Sequence, residues 1–193
     1  MPSFAGNPNV RLLRLAALVV IVPGLPALLA YGLWRHHFPY GVSHCCDLQL
    51  GMALRQYAAA NGGYLPAGEG TPEASLSLIY GNVSSVTADL LRGKIVSEAA
   101  ALERLDRGQR LTPETCGWHY VEGLRDDDDG HIAVCWDKVG LDHNGGVLPA
   151  GGHTVLFLSG THDIITAADW PNFLDEQRKL IADSQAARRK AKR

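Results

Sequence analysis

The sequence predicts an α+β fold: an apolar amino-terminal helix continuing into a long spine helix, a small antiparallel sheet packed on that spine, and a carboxy-terminal helix. Three observations point there. Leu12–Trp34 is a run of 23 residues whose only charge is Arg14. Ser43–Asn61 keeps a helical period with apolar residues on two sides. Beyond Gly108 the period shortens to that of strands, before helical spacing returns after Asp169.

The apolar run comes first. At about 1.5 Å per residue it matches a bilayer core of roughly 30 Å, so it is expected to be a single-pass anchor over residues 12–34, after a flank of residues 1–11. A signal peptide cut after Ala30 fits less well, because Leu28 stands where a small residue is wanted. Arg11 and Arg14 precede the run, and Arg35 with His36 and His37 follows it. This bias places the amino terminus inside and the domain outside the cytoplasm, at the inner membrane.

In the spine, Leu50, Leu54 and Tyr57 form one stripe, and Cys45, Leu48, Met52 and Ala59 form the other. A helix apolar on two sides is expected to be covered on two sides. Asn61-Gly62-Gly63 ends it. Thr71-Pro72-Glu73, Thr87 and Ser97-Glu98 then open three short helices, closed by Gly81, Gly93 and Gly108. Cys116–Gly123 and His131–Lys138 read as strands around the polar turn Arg125–Gly130. Thr154–Leu158 and Asp163–Thr166 form a second hairpin, and the glycine-rich loop Asp142–Gly152 joins the two pairs. Asp169 caps the last helix, which carries Phe173, Leu174, Leu180 and Ile181 inward and frays from Arg188. The folded domain is expected to span residues 43–181, with a basic tail over residues 182–193.

Charge is divided unevenly. From Arg178 onward seven Lys/Arg face one acid, Asp183, so this end carries +6 of a chain whose net charge is −2. The body therefore carries −8, which argues against nucleic-acid binding by the body and leaves the tail's contact open.

Candidate chemistry is sparse. Cys116 and Cys135 lie on two strand arms about equally far from their turn, where opposed α-carbons come within disulfide range. A bond between them would close a loop of about 20 residues, for roughly 3 kcal/mol. The acid run Asp126, Asp127, Asp128 and Asp129 offers calcium its oxygen ligands, although it lacks the alternation of an EF-hand loop. His143, His153 and His162 cluster near one sheet end, without the spacing of a zinc motif. Cys116 and His119 fall on opposite faces of one strand. No nucleophile elbow, phosphate loop or dinucleotide fingerprint is present in the sequence, so no catalytic residue and no resident cofactor is expected.

The order of parts resembles prepilin-like proteins related to type II secretion pseudopilins. The stretch "CCDLQLGMALRQYAAANGGYLP" is similar to their C-x-x-N-L-K-Q-I-G-L-A-L-x-x-Y segment. "CGWHYVEGL", "AVCWDKVGLDHNGG" and "HTVLFLSGTHDII" are similar to the tail of the subgroup with histidine, nine residues, then Asp-Gly. Here Asn9-Val10-Arg11-Leu12 lacks the glycine and glutamate of the processing signal, and fifteen residues separate His143 from Ser159-Gly160. The resemblance implies a pilin-like helix laid across an antiparallel sheet. It also implies a non-enzymatic part in assembly, with the membrane and the proteins of a secretion or pilus-like apparatus as partners. Leu48, Leu50, Met52, Leu54 and Tyr57 are the residues expected to meet a partner or the sheet. A calcium- or ligand-binding module on the same scaffold is the alternative, and a hydrolase using the histidine cluster is a third reading.

Overall fold

The computed structural model describes residues 24–42 and 47–191. The chain divides into two compact units, Met1–Pro39 and Tyr40–Arg193. In the first, residues 24–37 form a helix, α1, whose apolar side chains are exposed. Among the described residues no helix is long and apolar enough to cross a membrane. This finding corrects the expected transmembrane anchor, and with it the single-pass inner-membrane placement and the extracytoplasmic domain. Residues 12–23 of the expected span lie outside the described residues, as do residues 1–11.

The expected continuous rod is also corrected. Residues 38–42 are not helical. Pro39 disfavours the helical conformation of Phe38, and Gly41 takes a left-handed φ of 87°. Helix α2 then covers Asp47–Ala60.

The second unit is built on α2. It is followed by α3 (Pro72–Leu76), a 3₁₀ turn (Ser77–Ile79), α4 (Ala88–Arg92) and α5 (Glu98–Asp106). The expected caps are in place: Thr71, Thr87 and Ser97 side chains each accept an N–H from the first turn of α3, α4 and α5. Strands β1 (Trp118–Tyr120), β2 (Ala133–Asp137), β3 (His153–Phe157) and β4 (His162–Ile165) form one antiparallel sheet in chain order. Helix α6 runs from Trp170 to Ala191, so the end expected to fray at Arg188 stays helical through Ala191.

The sheet carries helices on both faces. One face meets α2 and the short helices in the main core, which holds Leu50, Leu54, Leu91, Trp118 and Leu156. The other packs Ala133 and Val155 against Phe173 of α6, with Trp136, Phe157 and Trp170 around them. Trp170 lies 5.3 Å from Phe173, 5.8 Å from Trp136 and 4.3 Å from His153 between ring centres. A bulge between Ala133 and Cys135 sends Val134 and Cys135 both into the main core.

Two glycines let backbones close. A Cβ on Gly51 of α2 would stand 3.2 Å from both methyls of Leu156 on β3. A Cβ on Gly117 would overlap the Arg92 carbonyl at the end of α4, where Gly93 takes a φ of 63°. Gly117→Ala has backbone, not a flexible side chain, in its way. It is expected to cost about 3 kcal/mol of stability in urea unfolding; a loss below about 0.5 kcal/mol would contradict this close approach.

Candidate functional site

The sheet is one strand wider than the helix that covers it. Register pairs Thr154 with Ile164 and Leu156 with His162, so these four share the α2 face. Helix α2 seats Gly51 on Leu156, which is 1% exposed, but leaves β4 uncovered, with Ile164 50% exposed. The outward residues of α2 beside this overhang are Leu48 and Met52, 44% and 58% exposed. The result is a groove with α2 as wall and β4 as floor. It holds a cavity of about 320 Å³ lined by Asp47, Leu48, Asp142, His143, Thr154, His162 and Ile164.

Local turns place the polar groups of this groove. Asp142 Oδ1 accepts the N–H groups of Asn144 and Gly146, each at 2.8 Å, which folds the loop tightly after β2. Thr154 Oγ1 donates to the Leu141 carbonyl at 3.3 Å and ties that loop to β3. Asp47 stands in the first turn of α2, where a carboxylate faces the positive end of the helix dipole.

Behind Asp47 lies a buried charge cluster. Lys94 Nζ is 2.7 Å from Asp137 Oδ2, 3.5 Å from Asp47 Oδ1 and 5.7 Å from the centre of the Trp118 ring. Lys94 and Asp137 are each 2% exposed. Asp137 Oδ1 is buried and accepts no hydrogen bond from the described residues. Burial pushes the Asp137 carboxyl up to about 7 and Asp47 adds to the rise, against the opposing pull of Lys94. The sequence reading missed this cluster. One signal was present: Asp137 is two residues beyond Cys135 and therefore on the same inward face.

The expected interaction residues divide between two roles. Leu50 and Leu54 are buried in the core and Tyr57 packs partly buried against it, whereas Leu48 and Met52 face out. Among the described residues α2 is thus covered on one side, not on the expected two. The expected disulfide is corrected too: Cys116 and Cys135 are buried cysteines outside any disulfide. Register sets Tyr120 opposite Cys135 and leaves Cys116 before β1 begins, so the two are not opposed. Burial drives the Cys116 thiol up to about 12. Cys45 and Cys46 lie outside the described residues.

Three carboxylates of the acid turn are spent on protein partners. Asp127 accepts from Arg125 at 2.8 Å, Asp128 from the Arg125 N–H and Ser184, and Asp129 from His131. Of the three clustered histidines, His143 and His162 share the groove. His153 sits on the opposite face, its Nδ1 2.9 Å from the Asp137 carbonyl and its ring against Trp170. Among the described residues no group of three or more His, Cys, Asp or Glu is placed to hold a metal ion. The chain matches no protein-family model, no curated protein and no solved structure.

The charge cluster makes stability depend on pH. The folded Asp137 carboxyl holds its proton more tightly than the unfolded chain's, whose ordinary value is 3.8, so folding takes up a proton between that value and about 7. Stability falls as pH rises through this window. Asp137→Asn, neutral throughout, is expected to shrink the drop in melting temperature between about pH 5 and about pH 8. An unchanged drop would contradict the assignment.

Proposed function

We propose that this chain is a non-enzymatic, pseudopilin-like assembly or interaction component of a secretion or pilus-like system, and that it meets its partner through the α2–β4 groove. The observation that carries this reading is the overhang of the sheet beyond α2. It leaves Leu48, Met52 and Ile164 exposed, with Leu48 and Ile164 lining a concave space on the face that α2 lies across. Apolar side chains grouped around a concavity favour a macromolecular contact over solvent. The likeness of Cys45–Pro66 to the pseudopilin helix supports the same reading from the sequence side.

Photo-crosslinking tests it. A benzophenone amino acid placed at Met52 in producing cells is expected to capture a discrete protein band, while the same group at Gly68, exposed and remote from the groove, captures none. Absence of a band from both Met52 and Leu48 would overturn the reading.

A further inference from the structure

The Lys94 cluster does not balance its own charge. A single ammonium lies between two carboxylates, so with all three groups ionised a negative charge is left over. It is left over in the interior: Lys94 and Asp137 are 2% exposed and Asp47 is 7% exposed. A buried charge without its counter-charge is costly, and two changes remove it. Either a carboxylate takes up a proton, or a carboxylate moves into water.

The fold decides which carboxylate does which. Asp137 is on β2, an inner strand held between β1 and β3, with Trp118 opposite it in register and its backbone carbonyl on His153 Nδ1 at 2.9 Å. Fixed by both ladders, it stays in the interior whatever its charge, and its Oδ1 accepts no hydrogen bond from the described residues. Asp47 stands at the edge instead. It lines the groove cavity, and among the described residues Lys94, at 3.5 Å, is the one polar partner of its side chain. Its place in the first turn of α2 keeps its charge at the positive end of the helix dipole whether it is held or turned outward.

The other charged groups around the cluster are engaged elsewhere. Arg92 of α4 pairs with Asp89 at 2.6 Å and donates to the Val96 carbonyl. Lys138, next to Asp137 in the chain, pairs with Glu73 at 2.8 Å. Asp142 accepts two N–H groups of its own loop, and His143 and His162 line the cavity with Asp47. Raised by burial to about 7, the Asp137 carboxyl is the group of the cluster that changes charge near neutral pH.

We propose that Lys94 switches between the two carboxylates. With a proton on Asp137 the ammonium pairs with Asp47 and keeps it out of the groove. Once that proton has passed to solvent the ammonium pairs with Asp137, and Asp47 turns into the groove as a free carboxylate. The folded Asp137 carboxyl titrates above its ordinary value, so the held form prevails below about pH 7 and the released form above it. The α2 wall of the groove therefore gains a negative charge as pH rises, a difference that a charged partner reads. The switch itself needs no partner; its use in regulating contact rests on the groove being the interaction face.

Carbon NMR of the full chain, with the aspartate carboxyl carbons assigned through the backbone, follows both groups in one titration. Between about pH 5.5 and about pH 8.5 the Asp137 signal is expected to move as its proton leaves, and the Asp47 signal to move with the same midpoint. Relaxation of the Asp47 carbon by a neutral, soluble gadolinium chelate is expected to rise about twofold or more across this range, as the carboxylate reaches water, while that of Asp137 stays low. In Asp137→Asn the Asp47 carbon should stay shielded throughout. An Asp47 carbon equally shielded at both ends of the range, or an Asp137 signal that does not titrate within it, would overturn the proposal. Both are read on the unsubstituted chain, so neither depends on a variant folding. Absence of a crosslinked band from Met52 and Leu48, with the Asp47 transition intact, would remove the interaction reading and leave the switch in place.

Discussion

The contact between Gly51 and Leu156 sets the distance at which everything else is built. With no side chain on Gly51, α2 settles onto β3 so closely that a Cβ there would stand 3.2 Å from both Leu156 methyls, tighter than ordinary contact. Leu50, Ala53, Leu54 and Ala58 then face the sheet as one apolar surface, all of them 2% exposed or less. A glycine inside a helix costs about 1 kcal/mol against alanine, and here the gain is close packing along the axis of the whole domain. Because α2 is seated on β3, it is not seated on β4. The groove is a geometric consequence of that choice.

The charge cluster fixes the other end of the same helix. Lys94 joins α2 through Asp47 to β2 through Asp137, across a segment that has left α4 and not yet entered α5. A buried cation between two carboxylates costs desolvation and contributes little net stability, yet it tolerates few other positions for the three segments it joins. It holds the first turn of α2, and hence the Leu48 and Asp47 side of the groove, against the sheet.

Much of the second unit was legible in the sequence, and for identifiable reasons. Thr71, Thr87 and Ser97 announced their helices through short-range capping chemistry, and the two antiparallel strand pairs followed from strand-like runs flanking polar turns. The errors lie where tertiary geometry decides. Two apolar stripes on α2 implied two partners, but among the described residues only one stripe is covered, and the surplus stripe is the candidate surface. Equal spacing about a turn suggested a Cys116–Cys135 bond, whereas the actual register opposes Cys135 to Tyr120. Periodicity does not report register, and hydropathy alone overlooked the break that Pro39 and Gly41 impose. Lys94, Asp47 and Asp137 are remote in sequence, so their meeting carried no local signal except the inward parity of Asp137.

The central claim is that α2 and β3 form one packed unit around Gly51 and Leu156. Native-state hydrogen exchange tests it most directly. The amides of Leu50, Ala53 and Leu54 in α2 are expected to open together with that of Leu156, at the free energy of global unfolding. Exchange of the α2 amides at a free energy well below that of β3 would mean that the helix leaves the sheet on its own, and would contradict the account.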